Sequence, residues 1–257
     1  MPRHRGVYKP EQFEPYELSR FRIENFVRCP ACFYMQQVEG IKFPDFPGYN
    51  INEATDVLLK RHFDKFRSLQ MTPPLLERLG YSEFIPYNHP DFEKWTQSLH
   101  FGAEGRMNTV VESVNLKVGG GLDDVWQNTE TNELHIVDYK STSQKSAGRQ
   151  ISLDDPFKAP YKRQMDLYIW VMRRMGFPVS DKGIFLYVDG DRFTNTDFVQ
   201  DGIGLMEFKV TILPYHSDDS WIYPTLEAIK SLLECERRPV HAEGCQHGAF
   251  IKAAWKK

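Results

Sequence analysis

Long apolar runs are missing from this 257-residue chain. Nothing approaches the roughly 20 consecutive apolar residues that a membrane-spanning helix needs. The opening, MPRHRGVYKPEQFEPYELSR, has none of the apolar core of a signal peptide. A cytoplasmic protein with no membrane partner is the expectation. A large excess of one charge is also missing. A net charge of -3 excludes a chain that holds nucleic acid by overall basicity. There is no G-x-x-x-x-G-K-[ST] loop, so no nucleotide-driven motor, and there is no internal repeat or low-complexity tract. Cysteine is scarce, with four residues: Cys29, Cys32, Cys235 and Cys245. Disulfides are the least expected use for them in a reducing compartment. What remains, 41% hydrophobic and 26% charged, is the composition of a globular chain. Its length suits one large domain, or a domain with an appended subdomain.

The most informative stretch is GGGLDDVWQNTETNELHIVDYK, residues 119–140. It reads as two strands, 118–127 and 134–140, around a turn whose Asn-Thr-Glu-Thr core has no apolar residue. Side chains alternate between the faces of a strand, so Ile136, Asp138 and Lys140 share one face and His135, Val137 and Tyr139 the other. Pairing in a hairpin would bring Asp123 or Asp124 beside Asp138 and Lys140. Carboxylate oxygens are hard ligands suited to Mg²⁺, and a neighbouring lysine meets developing negative charge. The plain alternative is a surface hairpin with ordinary charges. Against it, Leu134, Ile136 and Val137 mark a buried strand, where a charged pair requires a reason.

Around the hairpin, the periodicity predicts helices over 19–27, 30–40, 52–69, 161–175 and 218–234, and strands over 183–189 and 205–213. The fold class is α/β, a central mixed sheet of about five strands flanked by helices. In the first helix Phe21, Ile23, Phe26 and Val27 are expected to face inward. In the 52–69 helix Leu58, His62 and Phe66 form a stripe at i, i+4, i+8. In the 161–175 helix Gln164 and Tyr168 point the same way, with Lys162 and Arg163 beside them. Residues 71–101, broken by prolines and carrying a short helix from Asp91 to Leu99, read as an insertion. Its aromatics Tyr81, Phe84, Tyr87, Phe92 and Trp95 suit either a small core or stacking on bases. Glu104 and Glu112 are further candidate carboxylates. Between Lys140 and Arg174 eight basic residues face three acids, a local balance of +5, which suits phosphate contact.

Gly121-Leu122-Asp123, then Asp138-Tyr139-Lys140 fifteen residues on, then Gln164-Met-Asp-Leu-Tyr168 resemble the PD-(D/E)XK nucleases. More narrowly, they resemble the RecB-like branch, which includes the nuclease domains of bacterial recombination helicase-nucleases and the CRISPR-associated adaptation exonucleases. The opening Cys29-Pro30-Ala31-Cys32-Phe33-Tyr34 is similar to the start of those domains. The resemblance implies a restriction-endonuclease-like core and metal-dependent hydrolysis of DNA, single-stranded DNA included, by an exonuclease. It favours Asp123 over Asp124 as ligand. It implies Mg²⁺ or Mn²⁺ on His62, Asp123, Asp138 and the Tyr139 carbonyl, with Lys140 catalytic. Gln164, Tyr168, Lys162 and Arg163 would then meet substrate. The pathway stays open between repair, recombination and CRISPR adaptation, as does a homo-oligomer or a protein partner. The competing class is a non-catalytic DNA-binding or scaffold protein on the same fold.

Relatives in that branch often carry a [4Fe-4S] cluster on one early and three late cysteines. Here the partition is two and two, linking 19–40 with 235–250 as a cysteine-held subdomain. Three readings stand: an iron–sulfur cluster on Cys29, Cys32, Cys235 and Cys245; Zn²⁺ on Cys29, Cys32, Cys245 and His247; or packed thiols without metal.

Overall fold

A computed structural model describes residues 7–44, 48, 50–98 and 102–254. Leu99, the expected end of the short helix, lies outside the described residues. In chain order the elements are β1 (Tyr16–Ser19), α1 (Arg20–Arg28), α2 (Pro30–Gln37), α3 (Asn50–Leu69), α4 (Pro74–Arg78), β2 (Phe84–Pro86), α5 (Phe92–Trp95), β3 (Asn108–Val111), β4 (Leu116–Gly119), β5 (Asp124–Asn128) and β6 (Leu134–Thr142). They continue with α6 (Ala159–Arg174), β7 (Lys182–Gly190), β8 (Val199–Gln200), β9 (Ile203–Gly204), β10 (Phe208–His216), α7 (Ile222–Leu233) and α8 (Gln246–Ala254). None of the described helices is long and apolar enough to cross a membrane.

The centre is a five-stranded mixed sheet in the order β10-β7-β6-β5-β2, with β6 and β7 parallel and the other pairs antiparallel. β6 and β7 are buried along most of their length. Covered on both faces, they read as near-continuous apolar runs, as central strands between two helical layers must. One face, with Ile136, Phe185 and Tyr187, packs on α6 and α7 through Met165, Leu167, Ile169 and Leu226. The other, with Val137, Tyr139, Ile184 and Leu186, meets Phe63 of α3.

The expected first strand of the hairpin is two strands. β4 joins β1 and β3 in a separate three-stranded sheet, and β5 joins the central one. The break at 120–123 lets one segment serve both sheets. The stretch 71–101, read as an insertion, supplies β2, which pairs with β5 at the edge of the central sheet. Phe84, Phe92 and Trp95 are buried there as core, so these three are closed to bases. In α1 only Ile23 and Glu24 are buried, while Phe21 is 61% exposed. The burial of an acid where an apolar side chain was expected follows from a partner on α6, described below.

Helix α3 departs most from its sequence pattern. Its inward stripe is Thr55, Phe63 and Arg67, all buried, with the half-buried Leu59 between them; Leu58 is 58% exposed. The two stripes have the same i, i+4 spacing one residue apart, about 100° around the helix. Arg67 enters the core because Asp124 receives its Nη2, and its guanidinium lies 3.7 Å from the centre of the Phe92 ring.

Candidate active site

The site forms where the 120–123 break meets the middle of β6. Gly120 and Gly121 are needed there for close approach. A Cβ on Gly120 would stand 3.0 Å from the Tyr168 ring and hydroxyl, and one on Gly121 would stand 2.6 Å from the Ser98 backbone nitrogen. Pairing of Asp124 with Val137 continues to place Asp123 opposite Asp138. The Tyr139 amide donates to Asp123 Oδ2 at 2.9 Å, which fixes that carboxylate against β6.

Asp138 is buried at 2% exposure. Its Oδ1 accepts from Gln164 Nε2 at 2.7 Å, so the helix amide orients the acid. The Lys140 ammonium lies beside Oδ2, yet Oδ2 takes no well-aligned hydrogen bond among the described residues. Burial pushes the Asp138 carboxyl up to about 7; Lys140 opposes that rise and the Asp123 charge adds to it. Lys140 also donates to the Tyr139 carbonyl at 3.2 Å and lies 4.9 Å from the centre of the Tyr161 ring. Burial works against its charge, but Asp138 and Asp123 raise its pKa, so it stays an ammonium. Tyr168 is buried against Gly120 and hydrogen-bonded by Arg20; burial lifts its phenol to about 12, keeping it neutral.

A third carboxylate comes from α3, and it is Asp56. Burial raises it to about 6, the Asp123 charge adds to that, and Lys140 opposes it. A hydrogen bond between Thr55 Oγ1 and Ser141 Oγ ties this turn of α3 to the end of β6. His62 is therefore a correction. It lies six residues on, about 9 Å along the axis and on another face. It sits among Phe63 and Phe66, and its surrounding charges are Lys65 and Arg78. Burial and those cations lower its pKa, and its Nε2 has no partner among the described residues. The signal for Asp56 was an acid on the turn next to the buried stripe, hidden while Leu58, His62 and Phe66 were taken to face inward.

Asp124, the alternative to Asp123, is held for structure. Its oxygens accept from Arg67 Nη2, Tyr139 Oη (2.6 Å), Trp126 Nε1 (3.2 Å) and the Val125 amide (2.7 Å). Arg163 is likewise turned away from substrate: its Nε and Nη2 each reach Glu24 at 2.8 Å. Lys162 lies over the Tyr215 ring. Arg173 and Arg174 donate to the Val179 and Val110 carbonyls. Of the basic run, Lys158 is the one beside the site. It lies over Tyr161 and Tyr187, and its pKa is lowered first by burial, with the Lys140 charge adding to that. Glu104 and Glu112 are exposed on the surface and do not join the carboxylates. Arg20 was not foreseen, because nothing in α1 alone points it at α6.

The donor set suits a hard divalent ion: the Asp123 charge raises the carboxyls of both Asp56 and Asp138, and Lys140 opposes both rises. Such an ion would be held by Asp56, Asp123, Asp138 and the Tyr139 carbonyl. It would neutralise phosphoryl charge and supply an activated water. The rest falls to the chain. Gln164 orients Asp138, the Lys140 ammonium stands beside Asp138 Oδ2, where it would meet negative charge on a phosphoryl group, and Tyr168, hydrogen-bonded by Arg20, packs against Gly120.

At the far end of α1 a second group converges. Cys29, Cys32, His241 and Cys245 place one ligand atom each within 4.8 Å of one another, the only such group among the described residues. It could hold zinc or iron. This corrects both earlier ligand sets. Cys235 is exposed and donates to the Arg237 carbonyl. His247 stacks on Phe43, with its Nδ1 3.8 Å from Cys32 Sγ.

A mixed sheet with carboxylates and a lysine at its centre, fed by a helix on each face, defines a restriction-endonuclease-like nuclease. The family model described as the PD-(D/E)XK nuclease superfamily matches residues 17–250, and the chain belongs to that superfamily. No curated protein matches it.

Proposed function

We propose that this nuclease is a Mg²⁺- or Mn²⁺-dependent deoxyribonuclease of the RecB-like type, acting as an exonuclease in the cytoplasm. The observation that carries the reading is the Gln164–Asp138–Lys140 chain facing Asp123. It joins all three sequence motifs at one point, with Gln164 on one oxygen of Asp138 and the Lys140 ammonium beside the other. Asp56, Asp123 and Asp138 hold the metal. Lys140 meets the charge that grows on the scissile phosphate. Lys158, with Tyr161 and Tyr187 beneath it, guides the strand into the cleft by charge.

The test is a digestion panel of linear and circular, single- and double-stranded DNA with Mg²⁺ and with Mn²⁺. The reading expects linear DNA to be shortened from its ends and closed circles to survive. Cutting of closed circles would remove the exonuclease assignment and leave the nuclease. RNA degraded in preference to DNA would remove the substrate assignment.

A further inference from the structure

We propose that Cys29, Cys32, His241 and Cys245 form a mononuclear zinc site that fastens the segment after α7 to the start of α2. The inference is independent of what the carboxylates do.

Geometry carries it. Nδ1 of His241 lies 3.5 Å from Cys29 Sγ, 3.6 Å from Cys32 Sγ and 3.6 Å from Cys245 Sγ. Cys32 and Cys245 Sγ are 3.4 Å apart. A tetrahedral zinc with Zn–S about 2.3 Å and Zn–N about 2.0–2.1 Å separates sulfur from nitrogen by about 3.5 Å and sulfur from sulfur by about 3.8 Å. The three sulfur–nitrogen edges match; of the three sulfur–sulfur edges, Cys32–Cys245 is a few tenths short and the other two lie within 4.8 Å. No disulfide joins them, and all four cysteines are free. In a four-iron cubane each ligand binds a different iron and projects outward from its own corner. Four donor atoms this close leave no room for such a body. The iron–sulfur group implied by the resemblance therefore does not fit, and a single ion does.

The surroundings suit thiolates. The Ala242 amide donates to Cys29 Sγ at 3.4 Å, and the Gly248 amide donates to Cys245 Sγ at 3.3 Å. Such outer hydrogen bonds orient and stabilise metal-bound sulfur. Cys29 is the N-cap of α2 and Cys245 immediately precedes α8, where helix dipoles favour negative charge.

The need for an ion follows from how little else holds this segment. α8 has no buried residue, Phe250 is 74% exposed and Val240 90% exposed. The local apolar cluster contains Cys29, Ala31 and Cys32 with Phe43, Ala242 and Cys245 packed against it. Polar ties come from Tyr34 to the Cys235 carbonyl at 2.9 Å and from Arg238 to Glu39 at 3.2 Å. A core this small does not order a segment unaided, and a structural zinc supplies the missing folding free energy.

The test is metal and sulfide analysis of the full chain purified under reducing conditions, as wild type and as His241→Ala, His247→Ala, Cys235→Ser and Asp138→Asn. The expected result is stoichiometric zinc without inorganic sulfide in wild type, colourless protein, zinc lost in His241→Ala and retained in the other three. Retention in Asp138→Asn separates this ion from any held at the carboxylates. Should His241→Ala fail to fold, cobalt exchanged into wild type decides, giving the intense visible bands of tetrahedral thiolate coordination. Iron with sulfide, a folded wild type that takes up neither zinc nor cobalt, or zinc lost in His247→Ala and kept in His241→Ala overturns the proposal.

Discussion

At the scale of the residue, the structure separates side chains that look interchangeable in the sequence. Asp123 and Asp124 are neighbours, yet one is half-buried and fixed by the Tyr139 amide while the other accepts four hydrogen bonds inside the core. Asp56 and His62 share a helix, yet Asp56 alone feels Asp123 and Lys140. Asp56→Asn is therefore expected to lower cleavage by about a hundredfold or more, the scale for removing one preorganised charge-stabilising group, whereas His62→Phe is expected to cut DNA as wild type does. Parallel rate measurements check both. His62 has a further consequence in acid. Its pKa is depressed in the folded chain, so the unfolded chain takes up the proton first. Stability is whole above the unfolded value of about 6.5 and falls as pH drops below it. His135 acts in the same direction: burial lowers its pKa although it bonds the Lys182 carbonyl at 2.7 Å. Melting curves should show His62→Phe gaining on wild type as pH falls from 8 to 5.5. An unchanged difference would mean that His62 carries no such linkage. The D-x-K pair was legible because alternation in a strand permits no other facing. Asp56 was not, because its stripe begins with Thr55 and ends with Arg67, polar residues buried only through partners elsewhere.

At the scale of the element, the junction of α3, β5 and β6 is held by a charged network. Asp124 joins Arg67 of α3 to Tyr139 of β6, and Arg67 also donates to the Tyr87 carbonyl. Burial raises the Asp124 carboxyl, and the Arg67 charge opposes that. Asp124→Ala removes the buried counter-charge of the Arg67 guanidinium and leaves it only the exposed Asp64, 3.0 Å from its Nε, a loss of about 3–5 kcal/mol that denaturant unfolding would measure. A loss within about 0.5 kcal/mol, as for a surface substitution, would contradict this account. The glycine break makes a second demand. Gly120→Ala sets a Cβ against Tyr168 and is expected to cost about 1–3 kcal/mol, as overpacking does, and to displace Tyr168 from the cleft wall. Four strands of the central sheet, β5, β6, β7 and β10, and the main helices over it were legible from period and turn chemistry, whereas β2 was not, because the prolines of 71–101 read as an insertion. The division of 118–127 between two sheets was not. The pattern is continuous across Gly119, and β4 is diverted by pairing with β3 and with β1, which lies about a hundred residues earlier. Glu24 within α1 was obscure for the same reason, since its partner Arg163 is on α6.

At the scale of the whole molecule, charge placement limits how substrate is held. The chain is net negative, and Arg163, Arg173 and Arg174 are spent on internal bonds. Lys158 beside the site, with Lys145 and Arg149 on the exposed loop after β6, leaves about three cations for phosphates. For a single strand this gives a slope of log affinity against log salt near -2. A binding titration in Ca²⁺ at several salt concentrations checks it. A slope beyond about -5 would require more cations than Lys158, Lys145 and Arg149 supply.

The central claim is that Asp123, Asp138 and Lys140 act together on a metal-bound phosphodiester. Its most direct test is single-turnover cleavage of end-labelled DNA in Mn²⁺ by wild type and Asp138→Asn, with melting curves showing both folded. The account predicts rapid release of labelled nucleotides by wild type and none above background by the variant. Equal cleavage by the two proteins, or no cleavage by either with Mn²⁺ or Mg²⁺ on any DNA form, would contradict it.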